Sequence, residues 1–163
     1  MATNNAINLS QSGFAVYDGA GTFSGRTLQQ GSNVTITNPT GIGGDPTISV
    51  TGIMSWTEVT GTSQAMAVGN GYGANNASLV TFTLPATAAF GDVVRVLGKG
   101  AGGWKIAQNA TQQIIVGKLS STVGTGGSVA STATSDCVEL RCITSGTATV
   151  WESASGWGNL TVV

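Results

Sequence analysis

Gly98, Gly100 and Gly103 spell G-x-G-x-x-G directly after the strand-like run Val93–Leu97. That is the dinucleotide-binding fingerprint, and its chemistry needs a helix next in the chain, because the pyrophosphate sits on the free amides of a helix N-terminus. The next residues, Trp104-Lys105-Ile106, are strand-like instead. An acid about 20 positions on is also required for the ribose, and the first acid after Asp92 is Asp136. Lys99 and Lys105 do not precede Ser or Thr, so no Walker A loop forms either. The spacing predicts a hairpin loop between two strands and no bound nucleotide or other cofactor.

Other chemistry is equally thin. The chain has no histidine, which removes Ser-His-Asp and Cys-His catalysis and the usual zinc sites. Seven acids remain, Asp18, Asp45, Glu58, Asp92, Asp136, Glu139 and Glu152. They show no pairing motif of the kind glycoside hydrolysis uses. Asp92 and Asp136 each precede a strand, where a carboxylate accepts local backbone hydrogen bonds. Cys137 and Cys142 would stand about 16 Å apart in one extended strand, too far for a disulfide. They are expected as small strand residues, at least one of them buried. The expectation is no catalytic residue and no metal ligand. Four tryptophans remain, Trp56, Trp104, Trp151 and Trp157, any of which could stack on a sugar ring in a carbohydrate site or pack in a core or interface. Trp104 and Trp151 lie in strand-like runs and are expected in a core or interface. Trp157, in Ser-Gly-Trp-Gly-Asn, is expected in a loop, where an exposed aromatic anchors contacts.

Composition narrows the class. Charged residues make up 8% of 163 positions and hydrophobics 40%, with 25 glycines. Disorder needs low hydrophobicity and high net charge, and the net charge is −1. The six basic residues are scattered, apart from the loose trio Arg95, Lys99 and Lys105, so there is no footprint for nucleic acid. No apolar run has transmembrane length, and no membrane insertion is expected. Residues 1–12 carry neither a basic n-region nor an apolar h-region, so no secretory signal is expected.

The elements that must position these residues are short strands. Residues 1–12 read as a frayed or partner-dependent end. Phe14–Tyr17 and Thr22–Ser24 flank Asp18-Gly19, a hairpin signal. Val34–Thr37 and Thr47–Val50 come next, separated by Asn38-Pro39 and Asp45-Pro46 turns. This first region has too few large apolar residues to build a core alone, so Val34 and Ile36 are expected to face neighbouring chains. From Ile53 the pattern changes. Gly69–Gly73 reads as a loop with a tight turn at Asn70-Gly71, Leu79–Leu84 as a strong strand, and Asp92–Leu97 as a strand with apolar residues on both faces. Gln112–Gly117 reads as a strand, Lys118–Thr134 as a long loop, Asp136–Ile143 and Thr147–Trp151 as a pair, and Ser153–Gly158 as a turn. No segment has helical period. The predicted fold is all-β: an antiparallel β-sandwich or small barrel head over residues 53–163, with a short β-rich shaft or attachment segment over residues 1–52.

The run SLVTFTLPATAAFGDVVRVLGKGAGGWKIAQNATQQIIVG, with GTGGSVAST, SDCVELRC and GNLTVV, resembles a C-terminal module of phage tail-fibre-like and prophage-encoded proteins. TFSGRTLQQGSNVTITNPTGIGGDPTISV resembles a short repeat found upstream of such modules. The resemblance implies an intertwined homotrimeric fibre end, virion-borne or extracellular. Its N-terminus would join other virion or fibre proteins, and its loops would touch a glycan or protein receptor on a host surface. The function expected is non-enzymatic attachment. The alternatives are a structural capsid-decorating or filament-forming subunit, and a carbohydrate-active enzyme. Trp157, Tyr72, Asn70 and Asn75 are the expected receptor contacts. Val93, Arg95, Leu97, Val34 and Ile36 are the expected trimer interface.

Overall fold

β-branched and aromatic residues at period two leave one apolar face on each strand, and such faces must meet to leave water. A computed structural model describes residues 14–17, 23–31, 34–40, 44–50 and 54–163. The chain divides into two compact units, Met1–Ile53 and Met54–Val163. The fold is all-β, as the residue pattern predicts.

The first unit holds two antiparallel ribbons. β1 (Phe14–Tyr17) pairs with β2 (Phe23–Arg26), and β3 (Val34–Thr37) with β4 (Thr47–Val50). Val34 faces Val50 and Ile36 faces Ile48 across the second ribbon. Ile48 and Val50 are 62% and 55% exposed, while Val34 and Ile36 are half-buried. The frayed end expected at residues 1–12 and the turn expected at residues 18–21 lie outside the described residues.

The second unit stacks a seven-stranded sheet on a five-stranded one. Its strands are β5 (Ser55–Val59), β6 (Ser63–Ala65), β7 (Asn70–Ala74), β8 (Val80–Thr83), β9 (Val93–Gly98), β10 (Trp104–Ala107), β11 (Gln113–Val116), β12 (Leu119–Ser120), β13 (Ser128–Ala130), β14 (Cys137–Thr144), β15 (Val150–Trp157) and β16 (Thr161–Val162). The larger sheet runs β12-β11-β15-β14-β9-β7-β5 and the smaller β16-β13-β10-β8-β6. Between them pack Val80, Phe82, Val94, Val96, Trp104, Ile106, Ile114, Val129, Leu140 and Trp151, all at most 1% exposed.

The sandwich is predicted, but its purely antiparallel character is not what forms. From β5 to β10 the chain changes sheet at every step, so strands two apart in sequence become neighbours and run parallel. β5, β7 and β9 are parallel in one sheet, and β6, β8 and β10 in the other. A parallel pair needs a long crossover; here each crossover is a strand of the opposite sheet. Antiparallel pairing returns only with β13, β14 and β16 and in the β14–β15 and β11–β12 hairpins.

Gly98–Gly103 is therefore an arch between sheets, and the predicted hairpin loop is corrected. β9 pairs with β7 and β14, whereas β10 pairs with β8 and β13. The glycines serve close stacking on the preceding arch at residues 75–79. A Cβ on Gly100 would lie 2.3 Å from the Asn76 backbone, and one on Gly102 would lie 2.1 Å from that of Ser78. Gly102 N–H donates to Asn76 O (3.0 Å), and Lys99 N–H to Ala74 O (2.9 Å).

Three further segments differ from expectation. Gly69–Gly73 is largely strand β7, not a loop, because its backbone pairs on both sides, with β5 and β9. The Lys118–Thr134 loop contains β12 and β13. Ser153–Gly158 is mostly strand: β15 continues to Trp157, with Cys137 facing Trp157 across the hairpin. Its Ser-Ala-Ser-Gly run reads as turn by composition. The small residues let the backbones close, since a Cβ on Gly156 would lie 2.8 Å from Cys137 O.

Candidate functional site

The outer face of the seven-stranded sheet holds the second unit's concentration of exposed aromatic and paired charged side chains. Register places two rows across five strands. The first is Trp56–Gly71–Arg95–Glu139–Ser155; the second is Glu58–Gly73–Leu97–Cys137–Trp157. Between Trp56 and Trp157 lies a shallow trough of about 230 Å³, lined also by Arg95, Cys137, Glu139 and Ser155.

Each member has a local cause. Trp56 stands on the edge strand β5, and its ring covers Gly71 on the next strand. A Cβ at Gly71 would lie 2.6 Å from that ring. One aromatic face thus packs on glycine backbone, an arrangement that compensates a side-chain-free strand position. The residue remains 52% exposed. Trp157, at the end of β15, is 81% exposed. Among the described residues it is the most exposed large hydrophobic.

The floor between them is charged and paired. Arg95 Nε and Nη2 both stand 2.5 Å from Glu139 Oε2, and Arg141 Nη2 stands 3.4 Å from Oε1. On the rim Lys99 Nζ donates to Glu58 Oε1, which also accepts from Asn75 Nδ2 at 2.7 Å. The bond from Lys99, then that from Asn75, holds the Glu58 carboxyl below the usual glutamate range. Glu58 is thus an ionised acceptor at neutral pH, whereas a general acid needs a raised pKa. Among the described residues no three of His, Cys, Asp and Glu cluster as metal ligands would.

The structure separates the expected contact residues. Trp157 lies on this face, but at a strand end and not in a loop. Tyr72 is corrected: it points inward from β7 and is 5% exposed. Its hydroxyl accepts from Ala67 N–H (2.7 Å), and its ring tilts against Phe82 at 5.6 Å between centroids. Asn70 Nδ2 donates to Val68 O (3.0 Å) and closes the β6–β7 turn. Asn75 is committed to Glu58. Arg95 and Leu97, expected at a subunit interface, share the trough face with Trp157; Val93 lies further along the same face. Val34 and Ile36 belong to the other unit. Trp56 carries half of the site, yet the sequence offers it only as one of four tryptophans that could stack on a sugar and does not single it out as a receptor contact. Its strand neighbours are polar, and its partner Gly71 is identified only by register.

Away from the trough several polar groups are engaged in hydrogen bonds within the fold. Trp104 Nε1 donates to Asp136 O and Trp151 Nε1 to Thr149 Oγ1, each at 2.8 Å. Asp136 Oδ2 accepts from Thr132 N (2.7 Å) and Ala133 N (2.9 Å), and Asp92 Oδ2 from Ala89 N (2.8 Å). These are the local backbone bonds expected for carboxylates before strands. Cys137 and Cys142 are both free, and burial raises the Cys142 thiol pKa. Comparison with protein-family models and with curated proteins finds no match to this chain.

Proposed function

We propose that the chain is a non-enzymatic attachment protein, trimeric and carried on the outside of a phage-like particle, which binds a host surface through the outer face of the seven-stranded sheet. The observation that carries this reading is the trough itself. Two exposed tryptophans flank a floor of Arg95 and Glu139, whose charges are satisfied by each other. Such a surface offers contact area and, in its ion-paired side chains, hydrogen-bonding groups. The resemblance to fibre modules supports the virion setting. The exposed Ile48 and Val50 of the first unit support association, because apolar ribbon faces need cover from other chains.

Adhesion of labelled protein to candidate host cells tests the reading, with Trp157→Ala as the control. Saturable adhesion that this substitution weakens is the expected result; no adhesion to any host refutes it. The exposed ribbon residues equally favour a structural, capsid-decorating or filament-forming subunit. Sedimentation separates the two: a discrete trimer supports the attachment protein, an open polymer the structural one.

A further inference from the structure

Resting on the attachment reading, we infer that the trough binds a neutral oligosaccharide, laid across the sheet from Trp56 to Trp157. Four strand spacings separate β5 from β15, which sets the two tryptophan Cα atoms about 20 Å apart once their offset along the strands is included. The distance suits a chain of sugars better than one ring. Gly71 and Gly73 carry no side chains, so nothing rises from β7 between Trp56 and β9. Trp56 lies against Gly71, a fixed platform whose pose costs little ordering entropy on binding. Flat aromatic faces suit the C–H faces of pyranose rings, and the Arg95–Glu139 pair, Ser155 and Glu58 supply donors and acceptors for hydroxyls.

Charge selects among glycans. Around the trough itself Arg95, Lys99 and Arg141 stand against Glu58, Glu139 and Glu152. Three positive charges meet three negative, so no net field draws an anionic polymer. Burial of the same face by a protein partner would desolvate these ion pairs, at a penalty that their attraction need not recover. A hydrated sugar leaves them wet.

Trp104 and Trp151 are fully buried while Trp56 and Trp157 are exposed, so acrylamide quenching of tryptophan emission reports on the trough. The probes are neutral oligosaccharides of glucose, galactose, mannose and N-acetylglucosamine, two to six units long, with polysialic acid as the acidic control. The expected result is protection from quenching by at least one neutral series, increasing with chain length. Trp157→Ala should weaken it about tenfold. Trp56→Ala should do the same, while Trp56→Phe, which keeps a ring over Gly71, should retain most of the affinity. Phe90→Ala, an exposed aromatic outside the trough, should change nothing. Protection by no neutral probe, or by polysialic acid alone, overturns the inference. So does protection without sugar that rises with protein concentration, which would make the face a subunit interface. Cell adhesion measured in parallel separates the claims. Adhesion without sugar protection sinks the glycan inference and leaves attachment standing; sugar protection without adhesion does the reverse.

Discussion

Two pairs of tryptophans lie against the two faces of the seven-stranded sheet under opposite rules. Trp104, from the facing sheet, and Trp151 meet its inner face, fully buried, each with its indole N–H on one acceptor. Trp56 and Trp157 stand on the outer face, half and four-fifths exposed. A buried tryptophan contributes area and one satisfied donor to stability. An exposed one contributes less to folding, Trp56 through its packing on Gly71 and Trp157 least, and leaves an aromatic surface free for a partner. The molecule thus separates scaffold from surface by which side of a strand a residue occupies.

The largest expected effect breaks the inner side. Trp151→Ala or Trp104→Ala removes a large core side chain and should destabilise the second unit by about 3–5 kcal/mol, read by chemical denaturation. Trp157→Ala should change stability by less than about 0.5 kcal/mol. Equal losses at the two positions would erase the distinction.

The arches come next. Gly102→Ala places a Cβ 2.1 Å from the Ser78 backbone, and overpacking of this kind costs about 1–3 kcal/mol. Gly73→Ala, with open space around the added carbon, should cost well under that. Thermal denaturation of the two variants checks whether the G-x-G-x-x-G stretch is a packing device.

Asp136→Ala should cost about 1–3 kcal/mol, because the Thr132 and Ala133 amides lose their buried acceptor. Hydrogen exchange at those two amides should quicken in the variant. Unchanged exchange would show that the carboxylate does not hold this arch.

The smallest effect lies on the rim. Glu58 has its folded pKa depressed by Lys99 and Asn75. The stabilisation from a depressed carboxyl is present above the unfolded pKa, about 4.3 for glutamate. It is lost as pH falls through the lower folded value. NMR titration of the Glu58 carboxyl carbon should give a midpoint below the usual range, moving up in Lys99→Met. A midpoint that does not move would mean that the ion pair is not formed in solution.

The same contrast explains how much can be read in the sequence. Period two is visible there, so the all-β class, the inward Val94 and Val96, and the burial of Trp104 and Trp151 are legible. The partner of each strand is not. Val93–Gly98 and Trp104–Ala107, joined by a short glycine-rich link, look like a hairpin. Whether that link turns within a sheet or arches between two depends on the stacking of Gly100 and Gly102 on residues distant in the chain. Tyr72 is misplaced for a related reason: Asn-Gly-Tyr-Gly reads as a turn, yet pairing on both sides makes it a central strand. Trp157 is legible as an exposed aromatic. Trp56 is not, since its role depends on Gly71 lying opposite it on the next strand.

The most direct test of the outer face as the recognition surface uses the four indole N–H signals of the labelled protein, observed by NMR before and after addition of host-envelope polysaccharide. Two indoles, Trp104 and Trp151, should exchange slowly and keep their positions. The other two, Trp56 and Trp157, should exchange fast and shift on binding. Shifts confined to the slow pair, or four slow indoles before anything is added, would contradict the assignment of recognition to this face.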